Sequence, residues 1–305
     1  MSHPAEPAYW IAQFGRAELP VLARTVAELA RMKQDLDRVT TAHLSETVMH
    51  DPLMTFKVLR YIQQHRHRSQ LVDVTTIAHA LMMLGLEPFV AYFSEQPTLE
   101  AQLEGDPAAL RGALTVASRA RHAALYARDW AVLRHDIEVD EVTTAALLHD
   151  LAALLLWCCA PGVAVSLETA ARQEDATAEA AERAVLGFPL ISLQVALAQQ
   201  WQLPELLCRL MDERHASTPR ALNVSLAVGV AHHTAQSWDE AALVEDFTAI
   251  GRLLGCGPVG ARDRVVRIAL QAAAEWQWYG VPPAAALLPA SSGLKPQPPQ
   301  RASAR

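Results

Sequence analysis

Along almost the whole chain apolar residues return at intervals of three and four, and no stretch alternates with a period of two, a pattern that predicts an all-α protein. A segment beginning at Leu19-Pro20 sets Leu22, Val26 and Leu29 on one face and runs to about Asp35. A hydroxyl at Thr40-Thr41 can cap a second helix over TAHLSETVMH, and Asp51-Pro52 combines a capping carboxylate with a proline that loses no needed hydrogen bond in a first turn. The helix after it carries Leu53, Phe56, Val58, Leu59 and Ile62 and ends in a basic turn from Gln63 through His65, Arg66, His67 and Arg68. Thr75-Thr76 caps the next, which Gly85 stops, and an apolar segment follows Pro88. Gly105-Asp106-Pro107 is the strongest break. Residues 1–105 are therefore expected to form an N-terminal helical lobe and residues 106–288 a second one, with helices over 109–133, 142–159, 167–186, 191–202, 204–214, 221–238, 241–254 and 261–278. Residues 289–305, rich in proline, serine and basic groups, are too poor in apolar side chains to fold alone and are expected to be disordered.

Composition narrows the function. With 305 residues, 51% of them apolar, the chain can bury a large core. Its 26 basic residues are outnumbered by 33 acidic ones, and a net charge of −7 gives no general attraction to nucleic acid or anionic lipid. Cys158 and Cys159 are neighbours in an apolar helical run, an arrangement that suits reduced thiols rather than a disulfide framework. MSHPAEPAYW has no basic stretch leading into an apolar one, so a cytoplasmic location is expected. No P-loop, dinucleotide-binding glycine turn, Cys-x-x-Cys pair or nucleophile elbow occurs.

The chemistry concentrates at His149-Asp150, an adjacent pair of metal-ligand type inside the apolar run VTTAALLHDLAALLLWCC. The run is long enough to raise a membrane span, but an aspartate at the centre of such a span costs about 2.5–3.5 kcal/mol, so a buried helix of a bundle is expected. Burying a carboxylate among leucines costs several kcal/mol unless it is paired, hydrogen-bonded or bound to a metal. The pair is therefore either the core of a metal-dependent hydrolase or a structural acid satisfied by its neighbours.

From about Leu19 to Trp238 the chain resembles the HDOD domain proteins, a branch of the HD phosphohydrolase superfamily. In the first half the likeness rests on Leu19-Pro20-Val21-Leu22, on Asp51-Pro52-Leu53-Met54-Thr55 with Val58-Leu59-Arg60, and on Val74-Thr75-Thr76-Ile77 leading to Leu84-Gly85. In the second half it rests on Arg121-His122, His149-Asp150, Gly187, Trp201-Gln202-Leu203-Pro204 and His215. Metal-binding HD enzymes hold a divalent ion with a histidine from one helix, the His-Asp pair from a second and an aspartate from a later one. The resemblance puts His122, His149 and Asp150 at the first three positions and His232 at the fourth, where the closing aspartate is expected. Leu190 stands in place of a further histidine, Arg214 in place of the first of a His-His pair, and Ala152-Ala153 in place of a Gly-Lys. His122, His149, Asp150 and His232 are thus the candidate metal ligands, with His215 and Arg214 as accessory groups.

Three of these four departures remove a ligand or a positive group useful to phosphate chemistry. The resemblance therefore implies a non-catalytic bacterial signalling module with a degenerate metal site and no cofactor, acting in trans on a protein partner or a small ligand, without nucleic acid or membrane as partner. The alternative is a phosphohydrolase using one divalent ion, of a kind imidazole suits, on a nucleotide or cyclic dinucleotide.

Overall fold

Eight side chains decide where helices begin. Thr40, Asp51, Thr76, Thr98, Asp106, Thr177, Thr218 and Asp239 each accept a hydrogen bond from a backbone N–H two or three residues on, and a helix starts directly after each. In the computed structural model, which describes residues 6–65, 73–173, 177–212 and 217–289, the helices are α1 Pro7–Arg16, α2 Ala23–Lys33, α3 Thr41–Met49, α4 Pro52–Gln64, α5 Ile77–Leu84, α6 Leu86–Phe93, α7 Leu99–Gln102, α8 Pro107–Leu133, α9 Val139–Leu148, α10 Leu151–Cys159, α11 Pro161–Ala171, α12 Ala178–Leu186, α13 Leu190–Gln200, α14 Glu205–Met211, α15 Pro219–Gln236, α16 Glu240–Leu254 and α17 Pro258–Ala273. No named strand occurs among the described residues; Val21 and Thr98 make an isolated parallel bridge. The expected all-α class is met. The turn at Arg66, His67 and Arg68, the accessory pair Arg214 and His215, and all but the first residue of the 289–305 tail lie outside the described residues.

Four expectations change, the first being that the helix expected over 167–186 is two, the end of α11 and α12. A helix at the N-terminus, α1, has no counterpart in the sequence reading; it buries Trp10 and Phe14 against α10 and α13. The segment from Leu19 does not enter a helix until Ala23, because Val21 is held extended by Pro97 and Leu99 backbone bonds (2.9 and 2.7 Å). The apolar run expected as one helix over 142–159 is two, α9 and α10, interrupted at His149-Asp150. Its surface is spent inside the fold: 78% of the apolar window is buried, against α8, α14 and α15 for α9 and against α8, α11 and α13 for α10.

The long α8 is the axis of the packing. Ala113, Ala117, Ala120, Ala124, Ala127 and Ala131 recur on it at three and four and are all buried, so that α9, α10, α15 and α17 can approach its backbone closely. Gly112 marks the closest approach: a Cβ there would lie 2.6 Å from the Trp157 ring of α10, a separation no side chain tolerates.

Two polar anchors order the first hundred residues, one within them and one joining them to the rest. Asp51 is fully buried and accepts from Leu53 and Met54 N–H (2.9 and 3.0 Å) and from Leu22 N–H (2.7 Å), so one carboxylate caps α4 and fixes the extended entry to α2. Arg121 of α8, 2% exposed, donates from Nε to Glu275 (2.9 Å) and from Nη1 to the Met49 carbonyl (3.3 Å), and also pairs with Glu46. Tyr279 Oη donates to the His50 carbonyl (2.7 Å), and the His50 ring stacks on Trp278 at 4.2 Å. The segment after α17 is thus clamped onto α3 through α8.

Replacing Asp51 by Ala strands three backbone donors at once, and a loss of roughly 2–4 kcal/mol in urea unfolding at neutral pH is expected. For Glu275, burial raises the carboxyl, but bonds from His50 and Arg121 outweigh it and hold it at about 2. Its folded value lies below the ordinary carboxyl value of 4.5, so its contribution to stability is complete above that pH and is lost as pH falls toward about 2. Unfolding midpoints measured across this acid window are expected to fall more steeply with falling pH in the native chain than in Glu275→Gln.

Candidate functional site

The interruption between α9 and α10 has a local cause. His149 N–H reaches back only to Ala146 (3.4 Å), and Asp150 sits at φ −92°, ψ 19°, outside the helical basin. The polar groups freed at the break are taken up by one side chain, Gln194 of α13, which is 3% exposed: its Oε1 accepts from Ala152 N–H (2.8 Å) and its Nε2 donates to the Leu148 carbonyl (2.9 Å). Gln194 lets the chain turn inside a leucine-rich core without leaving unpaired backbone groups.

The turn delivers Asp150 to a cluster built from three further helical positions. Its Oδ2 accepts from Arg119 Nε on α8 (3.0 Å), with Nη2 also at 3.0 Å, and from His232 Nε2 on α15 (2.6 Å); Oδ1 lies 3.4 Å from His149 Nδ1. The carboxylate is 11% exposed, Arg119 20% and His232 37%. Burial acts to raise the Asp150 carboxyl, but the charges of His232 and Arg119 and the bonds from His149 and His232 hold it well below the usual carboxylate range. Withdrawal from water pushes His232 down, against the pull of Asp150 and with help from the Arg119 cation. The guanidinium of Arg119 is the cation that faces Asp150, at 3.0 Å from both Nε and Nη2.

His122, 4% exposed, stands apart from this cluster. Its Nδ1 donates to the Ser118 carbonyl one turn earlier (2.8 Å), burial pushes its pKa down, and its Nε2 is buried without a partner, as is Nε2 of His149. Orphaned imidazole nitrogens are what a metal centre would leave. The donor geometry does not fit one: among the described residues the group of three or more His, Cys, Asp or Glu side chains whose candidate ligand atoms fall within 4.8 Å of one another is Glu46, His50 and Glu275, and no three of His122, His149, Asp150 and His232 reach that distance. The guanidinium of Arg121 already sits among Glu46, His50 and Glu275. At Asp150 the guanidinium of Arg119 adds about 4 kcal/mol of repulsion per unit of metal charge at 4 Å and an effective dielectric of 20.

Of the sequence candidates, then, the structure brings His149, Asp150 and His232 together and leaves His122 outside their hydrogen bonds. Arg119 and Gln194 were not among them. Arg119 lies three residues before His122 on the same helix, a spacing that puts the two on one face and could have singled it out. Gln194 had no such signal. Ala152 and Ala153 bring no charge to the site, and at Leu190 it is the backbone that takes part, its N–H donating to Glu182 Oε2 (2.8 Å).

Substituting Arg119 by Met leaves a buried carboxylate with no cation, and a loss of about 3–5 kcal/mol is expected; pairing it with Asp150→Leu should recover most of that loss, measured by denaturant unfolding of both single variants and the double.

Comparison with known proteins bears on the whole arrangement. The family model described as HDOD domain matches residues 19–217. No curated protein matches the chain. Among solved structures, a response regulator from Methylococcus capsulatus superposes with a TM-score of 0.59 at 21% identity, over 83% of this chain and 98% of that one. A virulence factor from Campylobacter jejuni does so with a TM-score of 0.61 at 15% identity, over 84% of this chain and 94% of that one. At such identities the likeness is one of fold.

Proposed function

Since the chain belongs to the HDOD domain family, we propose that it is a non-catalytic signalling module that works by binding a protein partner or a small ligand, its metal site replaced by an internal ion pair. One observation carries the reading: the carboxylate that would anchor a catalytic ion is already neutralised by Arg119 at 3.0 Å. A hydrolytic metal must be free to polarise phosphate and to acidify a water. Here the position is charge-balanced before any ion arrives, and the Ala152-Ala153 pair offers no cation to a phosphate. A signalling role agrees with the description of the Methylococcus capsulatus structure as a response regulator.

The competing reading is a phosphohydrolase with His122, His149, Asp150 and His232 around one divalent ion, acting on a nucleotide or cyclic dinucleotide. What favours it is the pair of buried imidazole nitrogens without partners. One measurement separates the two: elemental analysis by inductively coupled plasma mass spectrometry of the native chain and of Asp150→Ala, each dialysed without chelator. The ion-pair reading expects no stoichiometric metal in either. About one metal per chain in the native protein, lost in the variant, would overturn it.

A further inference from the structure

Arg60 stands out among the half-buried cations of this chain because no carboxylate among the described residues answers its charge. It lies on the last turns of α4, half-buried, with no hydrogen bond or ion pair to any described residue, and its Nε is buried without a partner. Burial alone acts on its pKa, drawing it down, and no carboxylate is close enough to oppose that. An ionised group withdrawn from water without a partner is costly, which is why such groups elsewhere in this chain, Arg119 and Arg121, are paired.

The guanidinium is held in place rather than loose. It stacks over the Trp201 ring at 5.3 Å from its centroid, and the ring, 7% exposed, is backed by Phe56 at 4.6 Å. Arg60 and Trp201 together form one wall of a hollow of about 570 Å³, a size that suits a metabolite. Its other walls are the outward face of α1 (Ala8, Ile11, Ala12, Gly15) and the amides of Gln64, Gln200 and Gln202. Among the described residues no acidic side chain lines it, in a chain whose net charge is −7.

Gln202, which follows α13 at φ +52°, is the third glutamine lining the hollow. None of Arg119, His122, His149, Asp150 and His232 lines this hollow.

We propose that the hollow between α1, α4 and the end of α13 binds a small oxyanion-bearing molecule, with Arg60 as its charge partner and Gln64, Gln200 and Gln202 as amide donors to the bound group. A guanidinium fixed on an indole presents a planar fork of donors, the geometry that carboxylate and phosphate oxygens accept. Because the walls come from three separated segments, residues 8–15, 60–64 and 200–202, an occupant would couple α1 and α4 to α13. This site stands independently of whether a metal binds near Asp150.

The test is isothermal titration calorimetry of the full chain with inorganic phosphate, adenosine 5′-monophosphate and succinate at low salt. At least one is expected to bind at one per chain, about ten-fold or more weaker in Arg60→Gln, intermediate in Arg60→Lys and unchanged in the exposed control Arg183→Gln. Binding of the nucleotide alone would identify a phosphoester with an organic body, binding of phosphate as well a free phosphate, and binding of succinate alone a carboxylate. Gln202→Gly guards against a folding artefact: it is expected to unfold at a higher temperature than the native chain and yet bind more weakly. No binding of any of the three, or equal binding by the native chain and Arg60→Gln, would overturn the proposal.

Discussion

Two carboxylate sites inside this fold are answered by cations, and α8 brings both. Arg119 and Arg121 are two residues apart, about 200° around the helix, and so point to opposite sides. Arg119 meets Asp150 at the break between α9 and α10, and Arg121 meets Glu46 and Glu275 between α3 and the segment after α17. The alanine rows of α8 allow close packing, while its two arginines determine which elements pack there with their charges satisfied.

That division sets the character of the centre around Asp150. Asp150 comes from a turn that Gln194 makes affordable, His232 from α15 and Arg119 from α8. The ingredients of a ligand set are present in part, but the charge is carried by a guanidinium. An arginine holds a carboxylate through directed N–H bonds, so the arrangement ties α8, α15 and the turn between α9 and α10 together.

Legibility followed the range of the interactions. The caps Thr40, Asp51 and Thr76 were readable because capping is decided within three residues, and so was Gly85 as a helix stop, which adopts φ +81°. The family resemblance offered His232 as a fourth metal ligand beside His149 and Asp150, and its Nε2 lies 2.6 Å from Asp150 Oδ2. The break at His149-Asp150 was not readable, since an unbroken apolar run favours one helix and only Gln194, 44 residues on from Asp150, satisfies the groups a break exposes. Nor was α1, whose Trp10 and Phe14 become core positions only when α10 and α13 arrive.

By itself the sequence determined the all-α class, most helix starts, the buried character of the 142–159 run and the family, because periodicity, capping and motif order are properties of neighbours along the chain. Tertiary structure alone decided that Asp150 pairs with Arg119, that His122 turns to its own helix, and that Arg60 is left facing a hollow without a counter-charge. Those outcomes depend on which charges meet across packed helices, and electrostatic pairing at 3 Å is set by distance in space, which spacing along a chain does not contain.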